Sequence, residues 1–150
     1  MKFSNGPSVI LNSGSIDICN IHKVDKYGRH GISYVVGEHN RSFQELRRII
    51  NELIIANDLG EIKTPWSQKN KMIHLYMSNK KNVPIVDGDT VKPGDFCKVN
   101  VTPSAYIMQE RSVFRLPDGS TGENFTTKKG IKLFLNGIKV LEPVSEEDLF

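Results

Sequence analysis

Cysteine is scarce in this sequence, and the two that occur lie far apart. Cys19 and Cys97 form no metal-ligand spacing and cannot frame a disulfide scaffold in 150 residues. Both are expected as buried free thiols. Long apolar runs are missing too. The N-terminal MKFSNGPSVILN has no charged segment leading into an apolar one, and no stretch approaches the roughly 18 residues needed to cross a bilayer. The expectation is therefore a soluble, intracellular, cytoplasmic protein with no membrane partner. His22, His30, His39 and His74 stand singly, and no H-x-x-x-H, C-x-x-C, glycine-rich phosphate loop or G-x-S-x-G elbow occurs. Asp87 and Asp89 bracket Gly88, but without a third ligand nearby they read as a turn. These absences argue against an enzyme, and no cofactor, metal or catalytic residue is expected.

What is present suits one globular domain. A chain that is 38% hydrophobic and 25% charged at this length has room for one core and not for a second full domain. The net charge of +3 is unevenly spread: residues 61–140 carry 13 Lys/Arg against 7 Asp/Glu, whereas residues 141–150 carry four acids and no base. A basic body attracts polyanions, and an attached acidic segment competes with them for the same surface. The expected division is a folded domain over 1–141 and a flexible acidic tail over 142–150.

Most of the chain reads as short strands separated by turn residues, a mainly β fold. Ser15–Val24 and Ile32–Glu38 flank the turn-like DKYGRHG and read as a hairpin. One helix interrupts the pattern. Ser42 and Glu45 have capping-box spacing, Phe43, Leu46, Ile50, Leu53 and Ile54 recur at helical period, and Gly60 stands where a C-terminal cap is expected. This helix is expected to pack over one end of a barrel. In KMIHLYM (71–77) either face suits a core; the aliphatic Ile73, Leu75 and Met77 suit it better, which turns His74 and Tyr76 outward. The stretch NVPIVDGDTVKPGD reads as a short strand between turns. FCKVNVT (96–102) places Cys97, Val99 and Val101 inward and Phe96, Lys98, Asn100 and Thr102 outward. GIKLFLNGIKVL (130–141) places Ile131, Leu133 and Leu135 inward and Lys132 and Phe134 outward, with Gly137 as a bulge. Between these two strands the insertion 107–129 turns at Pro117-Asp118-Gly119 and is expected to protrude as a hairpin or long loop.

The outward faces carry the functional signal. Unpaired strands of nucleic acid are held by cations that follow the phosphates and by aromatic rings on which bases stack. Phe96 with Lys98, and Lys132 with Phe134, place both residue types two apart on one strand face. Tyr76, His74 and Trp66 would extend such a platform, although Trp66 suits a core anchor equally well. Arg111, Arg115, Lys128 and Lys129 on the insertion add cations.

From about Val83 onward the order of features resembles the single-stranded-DNA-binding proteins of tailed phages, an OB-fold family that includes those of short-tailed phages. The matching pieces are VPIVD, then PGDFCKVNVTPSAY with Gly94, Lys98, Val99, Ala105 and Tyr106, then KKGIKLFLNGIKVL with Lys129, Gly130, Leu135 and Asn136, and last the acidic tail SEEDLF ending in an aromatic. The resemblance covers a little under half the chain. It implies an OB-fold-like five-stranded barrel with one capping α-helix, a protruding hairpin and an acidic C-terminal tail. It also implies binding of single-stranded DNA without sequence preference, through Phe96, Lys98, Lys132, Phe134, Tyr76, His74, Tyr106, Arg111, Arg115, Lys128 and Lys129, in DNA replication, recombination and repair of a bacteriophage, within the host cytoplasm. The tail Glu146, Glu147, Asp148, Leu149 and Phe150 would then recruit replication partners, a polymerase or a helicase/primase. Two departures stand out: about two dozen residues separate Tyr106 from Gly130 where the family's connection is often short, and the tail is brief.

Two other readings stay open at this stage. One is a structural or protein-interaction β-domain that oligomerises through its exposed aromatics, with a homodimer as its simplest form. The other is a metal-dependent nuclease whose acids converge only in three dimensions.

Overall fold

Alternating apolar residues, turn residues and one helical stretch resolve into seven strands and a helix in the computed structural model, which describes residues 2–19, 31–79 and 93–141. The turn expected between the first two long strands, the short strand expected around Val83–Val86 and the acidic tail lie outside the described residues. In chain order the elements are β1 (Lys2–Asn5), β2 (Val9–Cys19), β3 (Gly31–Gly37), α1 (Arg41–Ala56), β4 (Trp66–Lys69), β5 (Met72–Asn79), β6 (Phe96–Arg115) and β7 (Thr121–Val140).

Five of these strands close on themselves. β2 pairs with β3, β3 with β5, β5 with β7, β7 with β6 and β6 with β2, all antiparallel except the β5–β7 contact at Ser78↔Phe134 and Asn79↔Leu135. The result is an OB-fold-like closed barrel with one helix, in which closure removes the open edges of the five strands. β1 and β4 are the flanking additions, on β6 and β5 respectively. Neither was expected, because both are four-residue, mostly polar strands without alternation to betray them. β2 also starts earlier than expected, at Val9 rather than Ser15.

The inward residues are those that alternation selects. Ile73, Leu75 and Met77 of β5, Cys97, Val99 and Val101 of β6, and Ile131, Leu133 and Leu135 of β7 are all buried in one cluster with Leu11, Ile16, Ile32 and Val36. Each fully buried side chain of this size contributes about 1.5–3 kcal/mol. The bulge lies where glycine marked it: Asn100 faces Gly137 while Val101 faces Leu135, which leaves Asn136 as the extra residue. Thr102 departs from its expected exposure and is buried, because Ser8 Oγ and Asn136 Nδ2 both reach its hydroxyl at 2.7 Å and cover it. Of the two free thiols Cys97 is buried as expected, but Cys19 is only half-buried near the described end of β2.

Helix α1 buries Phe43, Leu46, Ile49, Ile50 and Leu53 and packs against β2 and β6; Ile49 takes the full burial expected for Ile54, which is half-buried. Its caps differ from the expected ones. Asn40, not Ser42, is the N-cap, its side chain accepting the Phe43 N–H at 3.0 Å, while Glu45 pairs with Arg48 instead of turning back. At the other end the Leu59 N–H reaches Ile54 O and the Asp58 N–H reaches Ile55 O, with Asp58 left-handed at φ 50. This is a Schellman closure that buries Leu59, so Gly60 is not the cap.

One polar group sits in the middle of the barrel. Tyr34 of β3 is fully buried; its hydroxyl donates to Cys97 O at 2.7 Å and accepts the Gly14 N–H at 3.0 Å. It thereby satisfies backbone groups at the β2–β6 register shift between Leu11 and Gly14, where Ser13 is left-handed at φ 61. A Cβ on Gly14 would lie 2.4 Å from the Tyr34 ring, so the ring requires glycine there. Burial holds the Tyr34 phenol above its ordinary range and pushes the Cys97 thiol up to about 12. Both groups are neutral when folded and have raised pKa values. The stability tied to their protonation is therefore complete below the ordinary thiol value of 9.0 and is lost as pH rises through the folded values. Tyr34→Phe orphans the Gly14 N–H and is expected to lower unfolding stability by about 1–3 kcal/mol in urea titrations at neutral pH. An unchanged midpoint would show that the hydroxyl is not what satisfies the bulge.

Candidate nucleic-acid interface

The free edge of β5 is shared between two neighbours, and a cleft opens where one ends and the other begins. β4 occupies this edge from Lys69↔Met72 to Trp66↔Leu75, and β7 joins it only at Ser78. Between them the wall parts, so that Ile131 and Leu133, otherwise core residues, line a cleft of about 580 Å³. The outward alternation of β5 supplies His74, Tyr76 and Ser78 to its surface; β3 adds Ser33, β6 adds Tyr106 and Met108, and β7 adds Lys132. The opposite wall is the segment Lys63–Ser67. Phe43 of α1 anchors that wall through an edge-to-face contact with Trp66, centroids 5.2 Å apart and planes at 89°. Trp66 thus serves both readings held open for it: half-buried against the helix, it also lines the cleft.

Two of the cleft tyrosines owe their poses to glycines on neighbouring strands. A Cβ on Gly130 would stand 2.8 Å from the Tyr106 hydroxyl, and one on Gly31 would stand 3.0 Å from that of Tyr76. Each ring lies across a glycine, as aromatic rings do when they cover the backbone gap left by a missing side chain. His74 Nδ1 faces Asp17 of β2 at 3.6 Å.

Of the residues singled out from sequence, His74, Tyr76, Tyr106 and Lys132 meet in this cleft. Phe134 lies next along β7, half-buried, with the Lys132 ammonium 5.6 Å from its ring centre. Phe96 and Lys98 are exposed as expected, Phe96 by 65%, but they sit ten and eight residues up β6 from Tyr106. That is about 33 Å for the longer span. Thr102 and Ser104, between them on the same face, are covered by Ser8 and Asn5. Phe96 and Lys98 therefore form a second patch, beside Lys139, separate from the cleft.

The 107–129 insertion is a two-stranded arm, paired residue by residue from Ile107↔Lys129 to Arg115↔Thr121. Leu116 to Ser120 form its tip, with Gly119 at φ 88. Arg111 pairs with Glu123, and Lys128 pairs with Glu110 at 3.0 Å, so two of the four cations expected there are partly neutralised. Arg115 and Lys129 have no ion-pair partner among the described residues. Phe114 and Phe125 are exposed on opposite faces of the arm, Phe114 lying over Gly122. Ser33, Lys63, Thr64 and Ser78 were not singled out from sequence, since nothing local marks them and only the β4–β7 gap brings them together. Among the described residues no group of three or more His, Cys, Asp or Glu is placed to hold a metal ion.

No family model matches the chain, and no curated protein matches it. Among solved structures, the crystal structure of gp2.5, a single-stranded DNA binding protein encoded by bacteriophage T7, aligns with it at a TM-score of 0.40 and 11% sequence identity, over 98% of this chain and 92% of that one.

The cleft makes a prediction that separates it from the distant patch. Tyr106→Ala is expected to weaken binding of an unpaired oligonucleotide by about 1–3 kcal/mol in anisotropy titrations, while Phe96→Ala leaves it unchanged. The reverse ranking would move the site to the far end of β6.

Proposed function

We propose that this protein binds single-stranded DNA without strict sequence requirement, with the cleft as the centre of the binding track and the arm as its extension. The observation that carries the reading is the cleft's composition and place: Trp66, Tyr76 and Tyr106 stand beside Lys63 and Lys132 in a cleft to which the second and third strands of a closed OB-like barrel, β3 and β5, contribute Ser33, His74, Tyr76 and Ser78. In folds of this type that face and the loop between the last two strands receive oligonucleotides. Here the corresponding loop is the arm. Rings offer every base a stacking surface, and lysines at the rim meet the phosphates, so affinity without sequence reading follows from the chemistry. On the arm, Lys128 pairs with Met108 and shares the cleft's face, joining the track where phosphate displaces Glu110, while Arg111, Arg115 and Lys129 supply cations on the arm's other face. No step in this reading requires a cofactor or a reaction.

The acidic residues 142–150 complete the proposal. Carrying four acids and ending in Leu149 and Phe150, they compete with DNA for the lysines, and once displaced they are available to replication proteins. A role in phage replication and recombination rests on this tail and on the resemblance of the C-terminal half.

The test is a titration with oligo-dT and with duplex DNA across a salt series, using the full chain and a form ending at Ser145. Oligo-dT is expected to bind and duplex to bind much more weakly, with log affinity falling against log salt by about 0.7 per phosphate neutralised. The shortened form is expected to bind more tightly at low salt. Equal affinity for duplex, or no dependence on salt, would overturn the reading. Unchanged affinity of the shortened form would overturn the tail's part in it.

A further inference from the structure

Ser78 is the exception in an otherwise satisfied interior. Its hydroxyl is the one side-chain oxygen or nitrogen among the described residues that is both buried and without a hydrogen-bond partner, and the residue is 93% buried. Buried polar groups are nearly always paired, because an unpaired one forfeits its hydration, so an orphan on the wall of a cleft points to a ligand that completes it. Ser78 stands at the point where β7 joins β5, on the outward side of β5, and it lines the cleft. The Tyr76 ring lies over Gly31, the residue facing Ser78 across the β3–β5 pair, so a base stacked on Tyr76 is brought beside this hydroxyl.

The other polar side chains of the cleft define what the ligand presents. Lys63 and Lys132 only donate hydrogen bonds, whereas the serine, threonine and tyrosine hydroxyls and the His74 imidazole can donate or accept. Among the described residues no carboxylate and no carboxamide lines the cleft. With two donor-only lysines and no acceptor-only side chain in its described lining, the cleft favours an exocyclic carbonyl over an exocyclic amino group at the same ring position. Resting on the single-strand-binding reading above, we infer that the cleft is a base subsite selective for keto bases, with Ser78 donating to a carbonyl of a thymine or uracil ring. The protein then binds any single strand but settles with a keto base in this position.

Oligo-dU and oligo-dC of equal length isolate the effect, since the two bases differ only in the carbonyl or amino group at position 4 and its consequence at the ring nitrogen. The wild-type protein is expected to prefer oligo-dU by about three- to tenfold. Ser78→Ala is expected to lower oligo-dU affinity and bring the ratio close to unity. It should leave the melting temperature unchanged or slightly raised, because it removes an unpaired buried hydroxyl instead of a contact. Equal affinity of the wild type for the two oligomers, or a ratio that Ser78→Ala does not alter, overturns the subsite while leaving single-strand binding intact. Failure of the wild type to bind either oligomer overturns both readings.

Discussion

A single tyrosine hydroxyl holds the bend on which barrel closure depends. β2 has to pair with β6 along its first half and with β3 along its second, and it manages this by a register break around Asn12 and Ser13. Tyr34 secures the break from inside, taking the Gly14 N–H and giving its own proton to Cys97 O. Asn40 and Ser42 secure it from outside, where Asn40 Nδ2 donates to Asn12 O at 2.8 Å and the Asn12 N–H reaches Ser42 Oγ at 3.2 Å. The same asparagine caps α1, so the bend of the strand, the start of the helix and the interior of the barrel are tied together.

The cleft follows from closure rather than from any local motif. Once β2 has bent, β6 carries β7 round to meet β5, and among the described residues the parallel contact comprises two residue pairs, beginning only at Ser78. β4 fills the rest of the edge, and the gap between is floored by the core residues Ile131 and Leu133 under a rim of tyrosines and lysines. An apolar floor with aromatic walls and a cationic rim is what an unpaired nucleotide requires, since its base is flat and apolar on two faces and its backbone is charged. Exposed ion pairs on the arm contribute little to stability, and they leave its charges free to exchange partners.

Much of this was legible beforehand, and the rest was not for physical reasons. Alternation sorted Ile73, Leu75 and Met77 from His74 and Tyr76 because one face of β5 is dry and the other is wet. It failed at Thr102, where a residue on the outer face is covered by a hydroxyl and an amide from distant segments. Capping-box spacing pointed to Ser42, but the asparagine two residues earlier starts the helix, accepting the Phe43 N–H, and also holds β2. His74, Tyr76 and Lys132 were nameable as outward residues and Tyr106 through the family resemblance; their meeting was not, because it depends on a parallel pairing between segments 56 residues apart. Gly130 opposite Tyr106, and Gly31 diagonal to Tyr76, are the signal that would have revealed the ring poses, and it becomes readable only once strand register is known.

The central claim is that unpaired DNA lies in the cleft between β4 and β7. Ultraviolet cross-linking of oligo-dT to the full chain, followed by peptide mapping, tests it most directly. The account predicts adducts on Tyr76 and Tyr106, with Trp66 as the third site. Adducts confined to Phe96 or to α1, in a sample that binds the oligonucleotide, would contradict it.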